Sequence, residues 1–410
     1  MTVTPSIPRS PDLKGQAAPC PEISLPENPV TIARELAAEF AATAAERDRQ
    51  GGTPQAERDR IRASGLLRLA IPAEYGGAGA SWITVAQVVR EIAKVDASLA
   101  HVFSYHPLGV IIPQLYGSEA QERYYYSETA RHNWFWCNAL NPLDRRLVLT
   151  RDDSGYRLNG TKSFCSGAKN SDYLPTTAVV PGEEAFTVVV IPTSRAGLTC
   201  HDDWDNIGQR QTDSGSVTFD SVTVYPEEIL TPRQPGHPFQ TFRACLAQFN
   251  LANIYVGIAQ GALAAARDYA QTQTRPWPTS GIEAATEDPY RLHRFGELWV
   301  GLSGAEALVD RAADQMQTAW DRGWDLTEQQ RGECAVAIAT AKIAATQAGL
   351  AITNQMFDLM GARATSRQHG FDRYWRNLRT FTLHDPVDYK LREVGNWALN
   401  QQYPTPGFYA

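Results

Sequence analysis

Near the end of the chain, in TFTLHDPVDYK, a histidine and an aspartate stand side by side at His384 and Asp385. An imidazole donates or accepts a proton near neutral pH. A carboxylate is the group that abstracts a weakly acidic proton from carbon, but Pro386 pins Asp385 and restricts its reach. The plain alternative for His384 is a packed histidine capping the segment that bears Arg373, Arg376 and Arg379. Upstream, His101 and Tyr105 in HVFSYH are four apart and share one face of a helix. Two polar aromatics placed so can orient a flat ligand, or form a solvated stripe beside Val102 and Phe103; His106 projects elsewhere. Ser166 in SFCSGAK offers a small hydroxyl, and Gly167 permits close backbone approach, although the string also reads as a strand-end turn. Arg275 in TRPW and Arg363 in GAR carry guanidinium forks that suit a phosphate; surface ion pairs are the everyday alternative.

The elements that must position these groups follow from periodicity. Residues 29–130 read as helical. NPVTIARELAAEFAATAAERDRQ forms one helix, IPAEYGGAGA a Gly-rich turn, and SWITVAQVVREIAKV a helix capped by Ser81. Asp96 caps the helix of His101, and Pro107 is expected to kink or end it. Between 131 and 235, YRLNGTKSF, TTAVVP, FTVVVIP and SVTFDSVTVY are short, β-branched and punctuated by turn residues, as in an antiparallel sheet or barrel. From 236 to 410 long Ala- and Gly-rich helical stretches return, as in a helical bundle. The order is α+β. The N-terminal stretch 1–28, rich in Pro and Ser and without a signal peptide's apolar core, reads as a flexible arm. A net charge of −7 without long runs of one sign argues against nucleic acid or an anionic membrane. No apolar run is expected to span a membrane. Six cysteines without metal spacing read as thiols of a reducing cytoplasm.

The strings IPAEYGGAGA, VDASLA, LNGTKSFCSGA, TRPW, QMFDLMGAR and the arginine run, in that order, resemble the acyl-CoA dehydrogenase superfamily along nearly the whole chain. The resemblance implies an N-terminal helical domain, a middle β-barrel and a C-terminal four-helix bundle. Two departures weaken the dehydrogenase reading. The Glu-Gly-Thr that carries the family's base is replaced by Asp385, Pro386 and Val387, and no T-E-P-x-A-G-S-D motif follows FWCNAL. Longer strings, LNGTKSFCSGAKNSD, RPWPTSGIEAATEDPY, GFDRYWRNLRTFTLHDPVDYK and LNQQYPTPGF, resemble the flavin-dependent monooxygenase branch typified by dibenzothiophene monooxygenase.

That branch implies a two-component enzyme. A separate NAD(P)H:flavin reductase supplies reduced flavin, FMN in preference to FAD. With O2 the flavin forms a hydroperoxide that oxygenates a small aromatic substrate at a thiophene-type sulfur or an indole-type carbon. The absence of a GxGxxG or P-loop string in this chain fits a reductase elsewhere. The resemblance places His384, Ser166 and His101 in the catalytic set, with His384 keeping the peroxide protonated and Ser166 near flavin N5. It places Asn138 on the flavin, Tyr105 and Trp204 around the substrate, and Arg275 and Arg363 on the flavin phosphate, Arg275 across a homotetramer interface. An acyl-CoA dehydrogenase-type oxidoreductase with a displaced base is the alternative. A non-catalytic binding protein on the same fold would want a basic face, which the acidic balance opposes.

Overall fold

The computed structural model describes residues 28–153 and 155–410. The arm expected over 1–28 falls outside them, apart from Asn28, whose side chain caps the first helix. The chain opens with helices α1 (Pro29–Ala41), α2 (Ala44–Gln50), α3 (Gln55–Ala63), α4 (Trp82–Ala93), α5 (Ala97–Val110), α6 (Ile112–Tyr116) and α7 (Glu119–His132). Strands β1 (Val148–Asp152), β2 (Gly155–Lys162), β3 (Tyr173–Val179), β4 (Phe186–Pro192), β5 (Leu198–Cys200) and β6 (Val217–Val224) follow. The chain closes with α8 (Phe242–Thr272), α9 (Pro289–Asp321), α10 (Glu328–Met360), α11 (Asp372–Thr382) and α12 (Val387–Asn400).

Local chemistry explains several boundaries. Ser81 Oγ accepts from Thr84 N at 3.2 Å and Asp96 Oδ1 from Leu99 N at 2.9 Å, each satisfying an orphan donor of a first turn. The Gly-rich turn is tight at Gly77, where a Cβ would lie 2.0 Å from the carbonyl oxygen of Ile71. Two expectations change. The first long helix breaks at Ala42–Thr43 into α1 and α2. Arg47 lies at the break, its Nε donating to Thr43 Oγ1 at 2.9 Å while its guanidinium pairs with buried Asp96. Pro107 does not end α5, which runs on to Val110. Every residue of α5 is buried, so tertiary packing outweighs the ~3 kcal/mol that an interior proline costs.

The sheet has the order β4-β3-β1-β2-β6-β5, antiparallel except for β1 beside β3. Its inward residues, among them Leu149, Leu158, Ile191 and Phe219, form one core. The larger core joins α1, α4 and α5 to α8, α9, α10 and α11. By length and composition alone α8 and α10 would reach across a membrane, against expectation. However, 78% and 67% of their apolar windows are buried within the fold. Arg58 on α3 ties the helical part to the sheet. Fully buried, it donates to Gly167 O at 3.0 Å and Asn170 O at 2.7 Å and faces Asp213 at 3.3 Å. Burial lowers its pKa to about 10, with Asp213 pulling the other way.

Candidate active site

Where α5, the sheet and the bundle meet, a cavity of about 780 Å³ opens. It gathers His101, Tyr105, Asn138, Ser166, Trp204 and His384. These residues come from α5, the segment before β1, the turn after β2, the loop before β6 and the end of α11.

His384 sits in the elbow between α11 and α12, where Pro386 N-caps the new helix. Its Nδ1 lies 3.0 Å from Asp385 Oδ1, its side chain is 32% exposed, and the Tyr409 ring stands edge-on 5.7 Å away. A ring nitrogen facing a carboxylate carries the proton, so the neutral tautomer keeps Nε2 unprotonated and free. Asp385 is buried and held from behind. Lys342 on α10 donates to its Oδ1 at 2.5 Å, and Gln248 on α8 donates to the same oxygen at 3.3 Å. Burial pushes the carboxyl pKa up, but the His384 hydrogen bond and the Lys342 charge outweigh it and hold Asp385 well below the carboxylate range. Burial lowers Lys342 to about 8 against the opposing pull of Asp385. A carboxylate so stabilised is a poor base, so the residue nearest the dehydrogenase base position is unsuited to abstracting a proton from carbon.

His101 is buried with both ring nitrogens unpartnered. It packs on Tyr105 and Phe381 at centroid distances of 4.6 and 4.5 Å. Burial foremost, then the nearby His384, lowers its pKa to about 3, so the ring is neutral at ordinary pH. Burial raises Tyr105 to about 12. The pair is therefore a buried face, not a solvated stripe. His106 points away: its Nε2 is 2.6 Å from Leu67 O and its Nδ1 accepts from Trp136 N.

Ser166 ends a chain of hydroxyls. Thr212 Oγ1 donates to Gln209 O at 2.9 Å, lies 2.7 Å from Ser214 Oγ, and Ser214 Oγ lies 2.8 Å from Ser166 Oγ. The carbonyl can only accept, which fixes the polarity: Ser214 donates to Thr212 and Ser166 donates to Ser214. Ser166 Oγ thus presents lone pairs to the cavity. Gly167, at φ +77, is left-handed, and a Cβ there would lie 3.2 Å from Val102 Cγ1. At the rim, Phe164 and Gln209 hold φ of 57° and 54°, unusual for non-glycine residues and frequent where a site fixes its backbone. Phe164 meets Trp204 edge-on, and Trp204 Nε1 donates to Gln209 O at 2.8 Å, fixing the indole as a wall. Asn138 Oδ1 accepts from Arg243 Nη2 at 3.1 Å.

Arg275 and Arg363 do not line this cavity. Both are exposed near the ends of α8 and α10, where Arg363 donates to Gln273 O and Thr274 Oγ1 to Met360 O at 3.1 Å. Sequence reasoning missed Arg243, Gln248, Lys342 and Ser214. A signal existed for two of them. Arg243 is followed by an uncharged run to Ala266, and Lys342 is the one charge between Cys334 and Phe357; a charge isolated in a buried helix demands a partner.

A reduced flavin fits this set. Its ring bears an N–H that the oxidised ring lacks, and Ser166 Oγ is turned to accept from a donor. The flat walls of Trp204 and Tyr105 suit a planar heterocycle. Among the described residues no cluster of His, Cys, Asp or Glu suits a metal.

Three family profiles match: acyl-CoA dehydrogenase N-terminal domain over residues 30–133, middle domain over 142–222 and C-terminal domain over 250–389. The chain is 50% identical over 393 residues to the probable FMNH2-dependent monooxygenase SfnC of Pseudomonas putida, covering 95% of this chain and 99% of that protein. It resembles the structure of methanesulfinate monooxygenase MsuC from Pseudomonas fluorescens, with TM-score 0.91, 50% identity and coverage of 93% and 100%. It also resembles TdsC, a dibenzothiophene monooxygenase from Paenibacillus sp. A11-2. TdsC's complex with FMN and indole matches with TM-score 0.89, 45% identity and coverage of 93% and 100%.

Proposed function

The chain belongs to the acyl-CoA dehydrogenase family, and from that premise we propose that it is a reduced-FMN-dependent monooxygenase that oxygenates a sulfur centre or an aromatic heterocycle. One observation carries the reading. A single cavity joins His384, Ser166, Asn138, Tyr105 and Trp204, while the neighbouring carboxylate, Asp385, is locked in a buried ion pair.

Reduced FMN, when bound, supplies the electrons that activate O2 for transfer of one oxygen atom. Ser166 and Asn138 orient the ring edge. His384, its Nδ1 held by Asp385, offers Nε2 to bind and move a proton beside the reacting oxygen. Tyr105 and Trp204 hold the substrate ring and, with Phe381, keep water from it. Asp385 and Lys342 are positioning residues that act through His384.

Two further parts belong to this reading. A separate NAD(P)H:flavin reductase delivers the reduced flavin. A second copy of the chain brings Arg275 and Arg363 to the flavin phosphate, since neither lines the cavity of its own chain. Leu292, Trp299 and Val300 on α9 are exposed, and a Cβ at Gly296 or Gly304 on that helix would meet nothing within 4 Å, as a helix-docking face requires.

The test supplies reduced FMN aerobically with dibenzothiophene or indole and measures O2 uptake and product together. The wild type converts both into oxygenated product. His384→Ala keeps consuming O2 while product falls by ~10²–10⁴, the usual value of a positioned proton donor. Oxidised flavin bleached by an acyl-CoA without any reductase, with no product from reduced FMN, would overturn the reading.

A further inference from the structure

The cavity is unevenly charged. Among the described residues, Arg145, Arg146, Arg243 and Arg379 line it, against one carboxylate, Asp144. Asp144 is already committed to Arg146, at 2.7 and 2.8 Å, and to Ser163. Arg145 lies over the Phe186 ring at 4.7 Å. Among the described residues no carboxylate pairs with Arg243 or Arg379.

Arg243 is the deeper case. It stands where the main cavity adjoins a second one of about 530 Å³, and with Leu140 and Phe408 it is common to both walls. Among the described residues its hydrogen bond goes to the neutral Asn138 side chain, and its Nε is buried without an acceptor there. A guanidinium partly withdrawn from water with no carboxylate paired to it is costly to hold unless an anion completes it. The second cavity mixes apolar groups such as Ile112, Phe186 and Leu230 with the polar side chains of Thr177, Thr187, Gln240 and Thr241. Among the described residues its wall carries one other charged residue, Glu184.

We propose that Arg243 is a substrate anchor that receives an acid group, a carboxylate, sulfinate or sulfonate, on a molecule whose oxidisable part lies in the main cavity. The inference rests on the monooxygenase reading and sharpens it to an acid-bearing substrate class. The guanidinium fork binds such a group through two parallel charge-assisted hydrogen bonds. Asn138, held by the same arginine, orients it.

The experiment measures binding by tryptophan fluorescence with flavin absent, using indole and indole-3-acetate as probes. The expected result is at least ~10-fold tighter binding of indole-3-acetate by the wild type, the size of one charge-assisted hydrogen bond. Arg243→Gln should remove that preference, and Arg243→Lys, which keeps the charge but not the fork, should retain part of it. Equal affinity for the two probes in the wild type overturns the proposal, as does a preference that survives in a folded Arg243→Gln. If Arg243→Gln does not fold, an Arg243→Lys that keeps the full wild-type ratio overturns it instead. A parallel titration compares FMN with riboflavin. Loss of the FMN preference in Arg243→Gln would assign the arginine to the flavin phosphate and also overturn the proposal. Acid preference in a wild type that forms no oxygenated product would leave the anchor standing and remove the monooxygenase reading.

Discussion

Replacing Asp385 with Asn tests the support behind His384. Asp385 Oδ1 receives Lys342 Nζ at 2.5 Å, Gln248 Nε2 at 3.3 Å and His384 Nδ1 at 3.0 Å. The Lys342 side chain is only 2% exposed, so the substitution strands an ammonium in the interior. Breaking a buried pair from one side costs about 3–5 kcal/mol; the amide oxygen can still accept from lysine, which places Asp385→Asn at the lower end. The loss should shrink as pH rises. Lys342 has a folded pKa of about 8 against 10.5 ordinarily, and without the carboxylate it falls further. Between the folded and unfolded values the unfolded chain binds the extra proton, so stability climbs with pH. Urea midpoints for the wild type, Asp385→Asn, Lys342→Met and the double variant measure this directly. The double variant should regain most of the lost stability, because no unpaired charge remains. Its product yield from indole and reduced FMN should stay down by ~10²–10⁴, because His384 has still lost the carboxylate that sets its tautomer. Wild-type yield in the double variant would mean that Asp385 only neutralises Lys342. Wild-type stability in Asp385→Asn would mean that the pair does not form.

Three other outcomes are expected. His101, held near 3 by burial against an ordinary 6.5, takes up its proton only in the unfolded chain across that window, so it removes up to about 1.4 kcal/mol of stability per pH unit below 6.5. His101→Phe should flatten the fall in melting temperature between pH 6.5 and 4, and an unchanged slope would contradict the buried neutral ring. Ser214→Ala cuts the hydroxyl chain and frees Ser166 to donate, so the ratio of reduced to oxidised FMN affinity in anaerobic titrations should drop by ~2–10-fold, the worth of one hydrogen bond; a constant ratio would show that the chain does not set the polarity. Co-refolded Arg275→Ala and His384→Ala chains should recover about a quarter of wild-type product formation if Arg275 serves the partner's site in a symmetric pair, whereas each variant alone stays near background.

The sequence by itself determined the class of fold and named six side chains that one cavity gathers, His101, Tyr105, Asn138, Ser166, Trp204 and His384. Helical period, β-branched runs and the Ser81 and Asp96 caps act over a few residues, and so they are readable one segment at a time. The strings around Ser166, Arg275 and His384 carried the family for the same reason. What each face meets was decided only by tertiary structure. Period placed His101 beside Tyr105 but could not separate a solvated stripe from a helix buried on every side. The dipeptide His384–Asp385 did not reveal Lys342, 43 residues away, or Gln248, 137 away, and these make the aspartate a support for the histidine and a poor base. Arg243 reaches Asn138 across 105 residues. Such pairings follow from how whole layers pack and from the demand that every buried charge find a partner, and neither constraint is local to the chain.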